Sequence, residues 1–271
     1  MNETFRSSKP LYFSVPIALS VIVAGVGGIF FKNAYSQETV SWGVQGVGQD
    51  LANLIIAVPA LVVSALLIRK GSRAALFIWL GTDIYFVYVF VLYCFALHFN
   101  SLFLVYCGVL GLSFYSIIAL LATLDKPAVK SWFDEERSNN LAVYYLTAIS
   151  ILFFLLWMKQ IIPALASGRP PQEVKENGLL TNPVHVLDLC FFLPGTFTSA
   201  ILLKKKRPLG YLFAPALITF STIMALTIAG LTLVMKMNGV TADTTVSIVL
   251  TGVALISCLI PVNFMKSIRR D

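Results

Sequence analysis

The sequence predicts an all-α integral membrane protein with eight transmembrane helices. Apolar residues make up 58% of the 271 residues and charged residues only 12%, whereas a soluble domain is about half apolar and a quarter charged. The apolar residues form runs of about 20, the length that a helix needs to cross a bilayer. They do not alternate with polar residues as the strands of a membrane barrel do. The runs are therefore predicted to be helices, which satisfy their own backbone hydrogen bonds in lipid.

Eight apolar runs define the predicted spans of one polytopic domain that covers residues 1–271. The loops between them are too short for a soluble domain. The first run follows a basic N-terminus, so a cleaved signal peptide is the alternative interpretation, although the run is longer than a usual signal core. The predicted spans are 12–31, 51–68, 74–98, 102–123, 142–162, 184–203, 210–236 and 245–265.

The basic residues lie at alternating helix ends and predict that both termini are cytoplasmic. With the N-terminus inside, the inner segments hold 15 of the 20 Lys and Arg residues, including the run 204–207. The positive-inside rule therefore predicts an N-in/C-in protein of the plasma or bacterial inner membrane. The net charge of +7 reflects this topology. Because no basic soluble domain is present, we expect the lipid bilayer as partner and no nucleic acid.

An offset of 135 residues aligns the second span with the sixth. It places Pro59 on Pro194, and it superposes the basic run that ends each span. Residues 1–135 and 136–271 are therefore predicted to be repeats of four spans each. Because four spans preserve orientation, the repeats would be parallel, related by an axis along the membrane normal. The alternative is that the helices look alike only because they share a topology.

Two polar pairs begin the aligned spans on the predicted outer side. Asp50 and Asn53, which follow Gln49, are spaced i, i+3 and share a helix face, as do His185 and Asp188. If the repeat holds, the pairs meet near its axis and bind a cation, a proton or a polar group of a solute. The alternative is helix capping and bonding between helices. Nothing in this set fixes a metal geometry, so no metal and no cofactor is expected.

Asp83 is the acidic residue predicted nearest to the middle of the membrane. It lies about nine residues into the third span, with Tyr85 and Tyr88 close by. A charged carboxylate at that depth costs several kcal/mol. We therefore predict that Asp83 handles a proton, a cation or a substrate, as a protonatable acid bonded to Tyr85, Tyr88 or a Ser/Thr on another helix. The alternative is a purely structural hydrogen bond.

Small residues predict where helices approach each other closely. The spacings Ala24-x-x-x-Gly28 and Gly108-x-x-Gly111 are typical of tight contacts between membrane helices. We expect helices to pack at both places.

Taken together, these patterns favour a small secondary transporter or permease with an outward-facing polar mouth and a protonatable acid in mid-membrane. One alternative is an intramembrane enzyme that uses His185 and Asp188 as an acid–base pair. The sequence shows no accompanying nucleophile, so an enzyme is the weaker hypothesis. The other alternative is a non-catalytic sensor or assembly subunit. A homo-oligomer is compatible with each hypothesis.

Overall fold

The computed structural model describes residues 9–31, 33–134, 139–240, 252 and 268. These residues are almost entirely helical and form no strand, and one isolated β-bridge joins Phe133 to Ile268. Apart from residue 252, the predicted eighth span, 245–265, lies outside the described residues.

Seven helices in the described part of the chain are long and apolar enough to cross a membrane, which fits a multi-pass membrane protein. Five of them begin and end within two residues of the predicted bounds, and the second and fifth are longer than predicted. The helices are α1 (Leu11–Phe30), α2 (Val40–Arg69), α3 (Arg73–Ala96), α4 (Phe103–Thr123), α5 (Asn140–Ser167), α6 (Pro183–Lys204) and α7 (Pro208–Met237).

Helix α2 begins at Val40, whereas the sequence predicted a start at residue 51. The additional segment, 40–50, contains several polar residues and glycines. The Thr39 side chain caps the helix by accepting a hydrogen bond from the backbone N–H of Trp42. Glycines then let the segment pack inside the protein, because a Cβ at Gly48 would lie only 2.9 Å from the Cα of Leu231 in α7. This segment is therefore buried by protein rather than lipid, which explains why its hydropathy gave no signal.

Helices α2 and α6 each contain one π-helical turn, at Asn53–Ala57 and at Asp188–Phe192. A proline follows each turn, Pro59 and Pro194, as the second residue of the next α-helical segment. Proline has no N–H to donate, and its ring crowds the preceding turn, so a widened turn relieves the conflict. The two turns and the two prolines are all separated by the same offset of 135 residues.

The turns that end α2 and α6 also share one backbone conformation. Gly71 has φ 99° and Lys206 has φ 52°. The left-handed region is ordinary for glycine and uncommon for lysine. Each turn closes with equivalent hydrogen bonds, such as Ser72 N–H to Leu67 O and Arg207 N–H to Leu202 O. The offset is again 135 residues.

Helices α3 and α7 cross at the centre of the bundle. A Cβ on Gly81 would overlap the backbone oxygen of Ala216 and lie 2.7 Å from the Cβ of Thr219. One turn further along, the rings of Tyr85 and Phe220 lie 6.5 Å apart. Among the described helices, α3 is the most deeply buried. The crossing therefore brings two backbones together where only glycine fits.

Candidate functional site

A cavity of about 830 Å³ is lined by residues of α2, α3, α5, α6 and α7. It opens at the end of the bundle that carries the loops 31–39, 97–102 and 168–182, which we call the mouth side. The short helix Gln172–Glu176 lies at its rim. Ligand pockets usually enclose about 300–1,000 Å³. The cavity is therefore large enough for an organic molecule.

Aromatic and polar side chains share the walls of this cavity. The aromatic residues are Trp42, Tyr88, Tyr93, Phe153, Trp157, Phe192 and Phe220. The charged and amide residues are Gln45, Gln49, Gln160, Gln172, Glu173, Glu176, Asn177, Asn182 and Asp188. This combination of apolar area and a few directed polar groups is typical of a small-molecule site.

Asp188 is the acidic group deepest in the cavity wall. One carboxylate oxygen accepts a hydrogen bond of 2.9 Å from the Tyr88 hydroxyl, and the other accepts one of 2.8 Å from the Trp157 indole N–H. Asp188 is the first residue of the π-turn in α6. A π-turn changes the direction of side chains on a helix and often occurs at functional sites. Here it begins at the carboxylate that lines the cavity.

His185 lies one turn before Asp188, whose backbone N–H donates to the His185 backbone oxygen, but among the described contacts the two side chains share no hydrogen bond. Its ring packs on the ring of Trp157, with the centroids 4.6 Å apart. Its Nε2 atom is buried and has no hydrogen-bond partner. The side chains of His185 and Asp188 are therefore linked through Trp157, which packs on the first and donates a hydrogen bond to the second.

Asp50 is fully buried behind the cavity wall and does not line it. It accepts hydrogen bonds from the Tyr35 hydroxyl at 2.6 Å and from the Tyr93 hydroxyl at 2.8 Å. Gly28 of α1 lies directly against the carboxylate, since a Cβ there would overlap it. Burial, together with the Asp50 carboxylate, raises the pKa of Tyr35 well above its usual range, so this hydroxyl remains a donor.

Asn53, Gln49 and Tyr85 form one hydrogen-bonded network. The Tyr85 hydroxyl donates to Asn53 Oδ1 at 2.9 Å and lies 3.0 Å from the hydroxyl of Thr227. The Gln49 amide donates to the Tyr85 hydroxyl at 2.6 Å and to Asn53 at 3.1 Å. Tyr85 and Tyr88 are one turn apart on α3. The first predicted polar pair is thus bonded to Tyr85 and Tyr93 of α3, and the second is bonded, through Asp188, to Tyr88 between them.

Asp83 lies apart from the cavity, between α3 and α4. It is fully buried, and the Ser116 hydroxyl donates to one of its oxygens. The other oxygen, Oδ1, has no hydrogen-bond partner. Of the partners that the sequence suggested, Tyr85, Tyr88 or a Ser/Thr on another helix, the one in the structure is thus a serine of α4. The cavity is lined by neither Asp50 nor Asp83 and does not connect them.

Several cavity residues had no place among the sequence candidates. Gln45 is one of them, and its amide donates to Asn177 across the cavity at 3.4 Å. The spacing of Gln45 and Gln49, i and i+4, is the signal that could have indicated it. Glu173 and Glu176 lie in the short helix Gln172–Glu176 between α5 and α6, and the sequence contains no signal of what they approach.

Comparisons of the chain with protein-family models, with curated proteins and with solved structures found no match. The geometry and chemistry of the cavity are therefore the basis on which a function can be assigned.

Proposed function

We propose that the protein is a small membrane transporter that binds a solute in the cavity between its two halves. The observation that carries the proposal is the position of this cavity. It is lined by α2 and α3 of one half and by α5, α6 and α7 of the other, opens at the mouth side and reaches the buried carboxylate of Asp188. Transporters built from repeats place their sites at such an interface.

We also propose that residues 1–135 and 136–271 are parallel repeats. The π-turns, the prolines, the left-handed residues and the starts of α3 and α7 all differ by 135 positions. The same offset relates Gly81 to Ala216 and Tyr85 to Phe220, and both pairs are in contact. Equivalent positions touch each other where a two-fold axis passes between them. These contacts support an axis through the crossing of α3 and α7.

The crossing also suggests how the cavity is closed on the side opposite to its mouth. Gly81 lies seven residues before Tyr88, a distance of about 10 Å along the helix. The tight contact of α3 with α7 therefore lies below the cavity floor. We propose that rocking of the halves about this contact exposes the cavity on the other side of the membrane, as in alternating access.

The basic residues support an orientation for this movement. The turns at 70–72 and 205–207, which lie at the end opposite to the mouth, carry Lys and Arg. By the positive-inside rule the mouth side would then be the outer side of a plasma or bacterial inner membrane. Solute would enter the cavity from outside.

Asp83 has a separate part in this proposal. It lies two residues beyond Gly81 and has one buried oxygen without a partner. We propose that it handles a proton when α3 moves, and that it does not touch the solute. Among the described contacts the side chains of His185 and Asp188 share no hydrogen bond, so the geometry gives no support to an acid–base enzyme.

Labelling of a cysteine at Ser221 tests the movement. Ser221 is buried and lines the cavity on α7, and cysteine has nearly the same size. In a background with the four native cysteines replaced by alanine, we expect Ser221→Cys to react with a membrane-impermeant maleimide in right-side-out vesicles and also in inside-out vesicles.

Ser113→Cys is the matched control, because Ser113 is fully buried in α4 away from the cavity. It should remain unlabelled from both sides. Labelling of Ser221→Cys from the mouth side alone would contradict alternating access and leave a binding pocket. Absence of labelling from either side would contradict an open cavity.

A further inference from the structure

From the lining of the cavity we infer that its ligand is an organic cation, such as a protonated amine or a quaternary ammonium compound. This inference rests on the proposed function only in taking the cavity to be a solute site. Four properties of the cavity support it: the charge of its lining, its aromatic surface, an unpaired acceptor and its size.

The charge of the lining has one sign. Its ionisable side chains include the carboxylates of Glu173 and Glu176 at the rim and of Asp188 deeper inside, and among the described residues no Lys, Arg or His lines the cavity. No salt bridge to a basic side chain neutralises Asp188 in the described part of the chain, where its two bonds come from Tyr88 and Trp157. A cleft lined by one sign of charge raises the local concentration of the opposite ion.

The aromatic rings lie around the acidic group. The rings of Tyr88 and Phe220 have centroids 5.5 Å apart, and those of Phe220 and Phe192 are 4.5 Å apart. On the other side of Asp188, the ring of Trp157 packs near that of Phe153 at 6.1 Å. The faces of aromatic rings attract cations, and cages of such rings bind quaternary ammonium groups. Rings and carboxylate together would hold a cation where either alone would be weak.

The cavity also contains an acceptor that lacks a donor. Gln160 lines the cavity, and its side-chain oxygen Oε1 is buried without a hydrogen-bond partner. A buried unpaired acceptor costs about 1–3 kcal/mol. The N–H groups of a protonated amine would satisfy it, whereas the charged group of an ionised carboxylate offers only acceptors. The unpaired Gln160 oxygen therefore favours the same sign of ligand as the carboxylates do.

Size selects an organic ligand over a bare ion. The cavity volume of about 830 Å³ is that of a pocket for an organic molecule. In the part of the chain that the structure describes, no three His, Cys, Asp or Glu side chains are grouped to hold a metal ion. An organic cation fits the volume and the lining together.

Two probes of the same shape and opposite charge test this inference: tetraphenylphosphonium and tetraphenylborate. Binding to the purified full-length protein can be followed by tryptophan fluorescence, because Trp42 and Trp157 line the cavity. We expect the cation to bind at least about 10-fold more tightly than the anion, and Asp188→Asn to weaken cation binding by about 10-fold, a change of about 1.4 kcal/mol. Glu38→Gln is the control, because Glu38 lies on the mouth side, outside the cavity, beside His98.

Equal affinity for the two probes, preference for the borate, or unchanged cation binding in Asp188→Asn would each overturn the inference. The outcomes also separate it from the transport proposal. Cation binding with one-sided labelling of Ser221→Cys would leave the ligand class standing and overturn transport. Two-sided labelling with preference for the anion would leave transport standing and overturn the ligand class.

Discussion

Gly81→Ala is expected to destabilise the folded protein by about 2–3 kcal/mol, the upper part of the range for overpacking a core. The added methyl group would overlap the backbone oxygen of Ala216 and contact the Cβ and Cγ2 atoms of Thr219. A backbone atom cannot turn away as a long side chain can, so α3 and α7 would have to separate. The free energy of unfolding in mixed micelles measures the effect.

Gly111→Ala is the matched control for this substitution. Gly111 lies in α4, and a Cβ there meets no atom of the described residues within 4 Å. Alanine has the higher helix propensity, so this variant should be as stable as the wild type or slightly more stable. Equal stability of Gly81→Ala and Gly111→Ala would show that α3 and α7 do not cross closely at Gly81.

Asp50→Ala and Asp188→Ala are expected to separate stability from binding. Each carboxylate accepts two hydrogen bonds from aromatic side chains. Removal of Asp50 leaves the hydroxyls of Tyr35 and Tyr93 without that acceptor, at a cost of about 1–3 kcal/mol for each buried donor. We therefore expect Asp50→Ala to lower stability by about 3 kcal/mol or more, and the folded fraction to retain cation binding.

Asp188→Ala should have the opposite effect, with a small loss of stability and a large loss of ligand affinity. Asp188 itself lines the cavity, as Tyr88 and Trp157 do, whereas Asp50 does not, so that water can replace the Asp188 carboxylate at the freed donors. A smaller loss of stability should then accompany a loss of at least about 10-fold in affinity for tetraphenylphosphonium. Thermal unfolding and fluorescence titration of both variants measure the two effects. A large loss of binding in the folded Asp50→Ala protein would place Asp50 in the ligand site instead.

Much of the helical framework could be predicted from the sequence, because lipid imposes long apolar runs. The seven spanning helices in the described residues follow from those runs. The start of α2 at Val40 could not be predicted, since glycine and glutamine there pack against protein instead of lipid. Apolar content measures transfer into lipid and contains no information on such packing.

Close contacts between helices were predicted only in part. Gly28 does lie against another helix, at Asp50, but a Cβ at Gly108 or Gly111 would meet no atom of the described residues within 4 Å. Gly81, where the backbones come closest, has no small partner at the usual spacing and stood out in no pattern. Whether a glycine meets a neighbour depends on the helix face that packs, which spacing alone does not determine.

The sequence named candidate residues, but their arrangement in the structure could not be predicted. Asp188 lines the cavity, whereas Asp50 lies behind its wall and Asp83 lies in another part of the bundle. The sequence predicts for each of the three acids a helix and a depth in the membrane. It does not say which aromatic side chain of another helix each acid meets, and those partners decide what each acid can do.

Uptake of radiolabelled tetraethylammonium by proteoliposomes with an inside-negative potential tests the central claim most directly. This cation crosses a pure bilayer slowly, so uptake reports the protein. We expect uptake well above that of empty liposomes, and an uptake about 10-fold lower in proteoliposomes with the Asp188→Asn variant. Wild-type protein that binds tetraphenylphosphonium in the cavity but takes up no more tetraethylammonium than empty liposomes would contradict the assignment of this cavity as a transport site.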